Sequence, residues 1–335
     1  MAPTKSHDRW LTWAIRIVGL LVIGALAYLG VSMYQGLVQA REGSVSERAI
    51  ANLRQAVRDN PENATVYILL GDAYRDTGNP SGAIEQYEKA LELEADHPVA
   101  LSGLALVAMQ QEEWRTAEGY WQKAIEVLRT NKFAAQDLRL EKAYYHYGAT
   151  LIQVNELEDA VANLKEALRI RRDDADTHYA LSVAYRGLGS VNKQTESLEA
   201  ALLFVPSMPE ANYDRALLYL AEGDKASAAE LLRRSVDAAP GRDEPLEELL
   251  KLGSFEDRMA AARSLEGTDA AAALIEARIA AALDPENLDA ARLVARLLGR
   301  LDSPEDERAA WERVLNLIPD DPEATEALAA LDAGS

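Results

Sequence analysis

The stretch "GDAYRDTGNPSGAIEQYEKALEL", residues 71–93, decides how the rest of the chain is read. Its small residues fall at fixed offsets among large ones, and charged residues fill the other positions. At its leading edge Tyr67, Leu70, Gly71 and Tyr74 stand at i, i+3, i+4 and i+7, one face of a helix. Thr77, Gly78 and Asn79 break that helix, glycine being suited to the positive φ of a helix end. A second amphipathic run follows in Ala83, Ile84, Tyr87, Ala90 and Leu91. Gly71 lets another helix approach closely, Ala83 and Ala90 leave room for it, and Tyr87 fills the gap. The pattern predicts a helical hairpin, which cannot bury its apolar face alone but can do so against stacked neighbours.

Neighbours of the same kind are present. Steps of 34 residues link Ala83 to Ala117, Ala90 to Ala124, Ala167 to Ala201 and Ala201 to Ser235. Pro206 and Pro240, and again Pro285 and Pro319, close units at the same spacing. A fixed period of this length signals a solenoid. The register slips at "RTNKFAAQDL" (129–138), and again between Pro240 and Pro285, which are 45 residues apart. Beyond Pro240, "EPLEELLKL" and "DAAAALIEARIAAALDP" read as a short hairpin. A last unit carries Trp311, Val314 and Pro319, and "DPEATEALAALD" reads as a closing helix. "SERAIANLRQAVRDNPEN" (46–63) reads as the second helix of an incomplete unit.

These residues resemble the tetratricopeptide repeat family. Its aromatic, leucine, glycine and tyrosine slots are filled by Tyr67, Leu70, Gly71 and Tyr74, and its second-helix slots by Ala83, Tyr87 and Ala90. Later units repeat the set with Leu104, Ala105, Ala117, Trp121 and Ala124, then with Tyr144, Tyr147, Gly148, Leu151, Ala160, Leu164 and Ala167. Two more follow, one through Leu181, Ser182, Tyr185, Leu198 and Ala201, the other through Ala216, Gly223, Ala228 and Leu232. The resemblance implies an all-α, right-handed solenoid of helix hairpins. Five repeats are expected over 64–240, with a linker and first solenoid helix over 39–63 and degenerate repeats and a closing helix over 241–335.

The first 38 residues are of another kind. Residues 1–16 form a short basic tail, and "IVGLLVIGALAYLGVSMYQGLV" (17–38) carries no charge. As a helix that run is about 33 Å long, enough to cross a hydrocarbon core. Trp10, Trp13 and Tyr34 suit the two interfaces. The apolar run continues well past the A-x-A pattern at Ala25 and Ala27, which favours an uncleaved transmembrane helix over a signal peptide. The expectation is a single-pass membrane protein of bacterial type, its repeats outside the cytoplasm.

Charge bounds the partners. The net charge is −20, and residues 243–335 carry 22 acidic against nine basic side chains. Such a surface repels phosphate backbones, so nucleic acid is not an expected partner. Cysteine is absent, which removes disulfides and thiolate metal sites. No phosphate-cradling glycine loop or nucleophile elbow occurs. The four histidines are too dispersed for three or four convergent ligands. No enzyme activity, cofactor or metal is expected.

One constellation remains. Tyr145, Tyr179 and Tyr213 are spaced by 34 residues, each one position after the core aromatic slot of a first helix. The resemblance implies that this column faces a concave groove, where phenols offer apolar area and hydroxyls to a partner. Neighbouring columns hold Asp72, Arg75, Met109, Gln153 and Arg186. The family's carboxylate clamp and asparagine ladder are both missing: the matching columns read Ile68, Ser102, Tyr145 and Leu69, Gly103, His146. The expected function is a membrane-anchored scaffold that binds protein or peptide segments, with self-association left open. The alternative is an assembly factor for a membrane or exported complex, of the cytochrome c maturation or pilus type, or an accessory subunit of a larger membrane complex.

Overall fold

The structure is a computed structural model in which residues 31, 33 and 46–334 are described. Helices make up the regular structure, and no strand occurs among the described residues. The chain divides into two compact units, with the boundary between Asn131 and Lys132. That boundary lies where the repeat spacing slips. The five expected repeats of 64–240 therefore fall as two in one unit and three in the other.

In the first unit a helix α1 (46–59) precedes two hairpins. Helices α2 (Ala64–Asp76) and α3 (Pro80–Leu93) pair, as do α4 (Pro98–Gln110) and α5 (Trp114–Arg129), and α3 packs on α4. Sequence sets the ends of these helices. Asn63 accepts a hydrogen bond from the Thr65 amide at 2.9 Å and Asn79 one from Gly82 at 3.0 Å, each capping donors that a helix leaves unpaired. Tyr87 holds the hairpins together. Its ring is wholly buried, and a Cβ added at Gly71 on α2 or Gly103 on α4 would come within 2.7 and 2.5 Å of it. The two glycines are what allow one aromatic ring to touch both first helices.

The second unit begins with a 3₁₀ turn (Ala134–Gln136). Three hairpins follow: α6 (Leu138–Gln153) with α7 (Leu157–Ile170), α8 (Ala175–Gly187) with α9 (Val191–Phe204), and α10 (Pro209–Glu222) with α11 (Lys225–Ala238). The turns repeat in the backbone. Asn155, Gly189 and Gly223, at 34-residue intervals, have φ of 62°, 66° and 87°. In the first unit Gly78 and Glu112 do the same at 72° and 60°. Glycine fits three of these five positions; asparagine and glutamate are held left-handed by the hairpins they close.

After α11 the arrangement departs from the sequence expectation. A short helix α12 (Asp243–Leu250) is followed by α13 (Phe255–Leu265), and it is α13 that forms a hairpin with α14 (Ala270–Leu283). "EPLEELLKL" and "DAAAALIEARIAAALDP" are thus not the two arms of one hairpin. The long Pro240–Pro285 interval contains three helices, not two. Helix α14 also packs against α11, and the Arg233 guanidinium on α11 donates to the Ala282 carbonyl at 2.8 Å. Leu249 of α12 and Ile279 of α14 are fully buried in that junction, so α12 is a packed wedge. Helices α15 (Leu288–Arg300) and α16 (Pro304–Leu317) make the last hairpin, and α17 (Pro322–Gly334) covers α16.

The apolar run 17–38 lies outside the described residues except for Val31 and Met33, both helical and exposed. Among the described residues no helix is long and apolar enough to cross a membrane.

Close helix approach makes a direct prediction at Gly148 on α6. A Cβ there would meet Leu164 Cγ of α7 at 2.6 Å and the Ala160 carbonyl at 3.3 Å. Gly148→Leu is expected to destabilise the second unit by about 1–3 kcal/mol through overpacking. Urea denaturation of the two proteins reads this, and an unchanged midpoint would mean that α6 and α7 separate freely.

Candidate functional site

The 34-residue period puts Tyr145 on α6, Tyr179 on α8 and Tyr213 on α10, at matching positions of successive first helices. All three are half-buried. Tyr145 packs on the Leu164, Leu181 and Tyr185 cluster, Tyr179 on that of Leu198, Ala201 and Met208, and Tyr213 on that of Leu232 and Leu249. Each ring thus leans on the core of its own and the next element while part of it stays accessible. The ladder is partly packing and partly surface.

Their polar surroundings differ. The Tyr179 hydroxyl donates to Asp214 Oδ2 at 3.2 Å, and Arg186 Nη1 donates to the same oxygen at 2.8 Å. Tyr213 carries the Arg242 guanidinium 5.7 Å from its ring centroid. Arg242 in turn lies 3.6 Å from Glu210 and 3.8 Å from Glu244. Tyr145 meets the His146 ring edge-on, with centroids 4.9 Å apart. All three phenols have raised pKa values. Burial is the main cause, followed by Asp176 at Tyr145, Asp214 at Tyr179 and Glu248 at Tyr213. They are neutral hydrogen-bonding groups at any ordinary pH.

The other expected residues separate by unit. Asp72, Arg75 and Met109 belong to the first. Arg75 and Asp72 form an ion pair at 3.3 Å, and the Asp72 carboxylate accepts the Tyr87 hydroxyl at 2.7 Å. Met109 Sδ accepts the Trp121 indole N–H at 3.3 Å. Each thus stands on its helix tied to a core aromatic. Gln153 is exposed at the end of α6, and Arg186 is half-exposed on its Asp214 partner.

Sequence reasoning passed over two arrangements. The first is a network in which the half-exposed Arg171, after α7, bonds the buried carboxylates of both Glu141 of α6 and Asp174, the N-cap of α8. Burial outweighs Arg171 and raises the Glu141 pKa. The second is the set of carboxylates Asp176, Glu210 and Glu244 beside the tyrosines, which is visible in the 34-residue register once α12 is read as a first helix. No group of side chains suited to a metal ion occurs among the described residues. The second unit also contains an open cleft of ≈ 430 Å³ whose walls include Arg233, Arg234, Arg278 and Arg313. Two of these arginines are tied down, Arg233 to Asp237 at 3.2 Å and Arg234 to Glu230 at 2.6 Å.

Comparison with known proteins places this architecture. Profiles described as tetratricopeptide repeat match residues 35–98 and 195–243, and a second profile of the same description matches 96–173. Superkiller protein 3 of Schizosaccharomyces pombe is 25% identical over 54% of this chain and 13% of its own length. Cellulose synthase operon protein C of Xanthomonas axonopodis pv. citri is 27% identical over 77% of this chain and 17% of its own. The chain spans less than a fifth of either relative. A solved structure described as YrrB, a TPR protein with an unusual peptide-binding site, covers 58% of this chain and 96% of its own, at 20% identity and a TM-score of 0.48.

Proposed function

The chain belongs to the tetratricopeptide repeat family, whose members mediate protein–protein interactions, and on that premise we propose that it binds protein or peptide segments on the first-helix face carrying Tyr145, Tyr179 and Tyr213. One observation carries the reading. Three aromatic rings stand at matched positions on three successive first helices, each seated on the core yet still accessible. A pre-seated ring offers apolar area to a partner with little ordering cost of its own. The Arg186–Asp214 pair beside Tyr179 adds fixed polar groups to the same face. In the first unit, Asp72, Arg75 and Met109 are proposed to serve the same purpose, as is Gln153 in the second.

The test is capture of partners from native membranes by the full chain and by Tyr145→Ala, Tyr179→Ala and Tyr213→Ala. Each truncation is expected to weaken capture by about 2 kcal/mol, as for an anchor aromatic. Melting temperatures separate the two roles of the rings. Loss of capture at an unchanged melting temperature supports the reading. Full capture by a folded triple variant would end it.

The proposal extends to the membrane. The uncharged run 17–38 is read as a single-pass anchor that concentrates bound partners at a bilayer, with the repeats outside the cytoplasm. Detergent is expected to be needed to extract the full chain, and protease added to spheroplasts is expected to digest the repeats. Digestion only after lysis would reverse the orientation. The narrower roles, assembly of a membrane or exported complex and permanent membership of a larger one, are distinguished by what is captured: precursors of the complex in the first case, its mature subunits in the second.

A further inference from the structure

We propose that the open cleft between α11 and α16 is a second docking site, for a protein segment that carries carboxylates beside large apolar side chains. The inference goes beyond the tyrosine face and does not depend on it.

Charge singles this cleft out. Residues 243–335 hold nine basic side chains among 22 acidic ones. Seven of the nine are bonded within the fold. Lys251, Arg258, Arg263, Arg292, Arg296 and Arg308 each pair with a carboxylate, and Arg300 donates to the Glu266 carbonyl. The two that remain are Arg278 on α14 and Arg313 on α16, and both line the cleft. Neither has an ion pair or hydrogen bond among the described residues. The charge of Arg278 reaches Asp224, but that carboxylate caps α11, accepting the Ser227 amide at 3.0 Å and its hydroxyl at 2.7 Å. The acidic groups of the cleft are also spoken for. Glu230 and Asp237 hold Arg234 and Arg233, and Asp306 sits in the first turn of α16, where a helix N-terminus favours it. Two guanidinium forks are thus left over where carboxylates outnumber cations, and each matches the geometry of a carboxylate from outside.

Shape supplies the rest. In the three-helix interval after α11, α14 packs on α11 as well as on α15. Ala281 and Ala282 of α14, with Val294 and Leu298 of α15, make an apolar floor, and the small side chains leave ≈ 430 Å³ above it. A second cleft of ≈ 420 Å³ shares the Glu230 and Arg234 wall and continues to α9. Leu203 there is 75% exposed, beside Leu202 and Leu231. Its Arg215 lies over Tyr219 at 3.7 Å and is answered by Glu199 and Glu222. The joined clefts are therefore cationic at the α16 end and apolar at the α9 end, a length that suits an extended chain segment. On α10, Arg215 and Tyr219 stand about 200° and 240° around the helix from Tyr213, so the groove does not share the face of the ladder.

The test uses the full chain in detergent and a labelled peptide of glutamates and leucines, read by fluorescence anisotropy. Its counterpart carries glutamine for each glutamate, which keeps the shape and removes the charge. The glutamate peptide is expected to bind at least about tenfold tighter than the glutamine peptide. Arg278→Gln and Arg313→Gln are each expected to weaken it by about fivefold at an unchanged melting temperature. Ala309→Trp, on the exposed wall of α16, fills the cleft and is expected to abolish binding. Arg169→Gln on α7 removes the same charge where Glu166 already answers it, and is expected to leave binding unchanged. The triple tyrosine variant is expected to keep the peptide. Equal binding of the two peptides overturns the proposal. So does native affinity in the Arg278→Gln, Arg313→Gln double variant, or an equal loss in Arg169→Gln, which would reflect the overall field of the protein. Loss of the peptide from a folded triple tyrosine variant would place it on the ladder instead. Capture of native partners by that variant is a separate readout, so either reading can fail without the other.

Discussion

Tyr87→Ala is expected to cost the first unit about 3–5 kcal/mol, the range for removing a large aromatic from a closed core. Few side chains in the unit are so fully enclosed. The ring is 0% exposed and stands against Gly71 of its own hairpin and Gly103 of the next. Truncation therefore opens a void between two first helices whose glycines have no side chain to move into it. The hydroxyl adds a second loss. It donates to Asp72 at 2.7 Å, and Arg75 lies 3.4 Å from it. Burial first, and then Asp72, raise the pKa of that phenol, so it remains a donor. Tyr87→Phe isolates this part and is expected to cost about 1 kcal/mol, because Asp72 is open enough to be rehydrated. Stability is local in a stacked array, so hydrogen exchange resolves the effect by segment. Exchange in α2, α3 and α4 is expected to quicken greatly in Tyr87→Ala and slightly in Tyr87→Phe. Equal protection in both variants would mean that the ring fills space the helices could close by themselves.

The same ring shows why so much of the fold was legible in the sequence. A repeat of fixed length must put the same shape in the same place each time. Gly71, Ala83, Tyr87 and Ala90 are therefore readable as a lock and its key before any coordinates exist. Turn positions were legible only in part. Gly78 announces its left-handed conformation, but Glu112 and Asn155 take the same one because the hairpins around them impose it. The region after Pro240 was read in the wrong pairs. α12 and α14 each have an apolar face, and periodicity along a helix does not say which partner that face meets. α13 was passed over because only two of its residues, Met259 and Ala262, are buried, which is too few to mark an apolar face.

The candidate site was legible as a column of tyrosines and illegible as an electrostatic arrangement. The 34-residue period of the repeats places Tyr145, Tyr179 and Tyr213, whereas the charges around them come from the next element in the stack. Arg242 is the clearest case. It precedes a helix that the sequence paired with the wrong partner, yet it stands over Tyr213. Glu141 and Arg171, 30 residues apart, likewise meet only because α6, α7 and α8 stack. Charges of this kind are set by docking, and docking is what a linear pattern does not encode.

Acidification is expected to destabilise the second unit through His146, by about 3 kcal/mol in full. Burial is the main cause and Lys142 the lesser one; together they lower the His146 pKa from 6.5 to about 4. A half-buried imidazole beside a cation is held neutral, so the folded state binds fewer protons than the unfolded chain as the pH falls. The contribution is fully present above pH 6.5 and is lost progressively towards pH 4. At about 1.4 kcal/mol per pH unit, roughly 2 kcal/mol is gone by about pH 5. The native chain alone does not isolate this, because a protein with net charge −20 loses self-repulsion as it approaches its isoelectric point near 4.7. His146→Phe removes the titrating group and keeps an aromatic edge against Tyr145. Urea denaturation of both proteins at pH 7.5, 6 and 5 therefore gives the diagnostic quantity, the difference between them. The variant is expected to gain about 2 kcal/mol on the native chain across that range. Two stability curves that stay parallel down to pH 5 would mean that His146 accepts its proton without leaving the fold, and that α6 can turn its ring towards water.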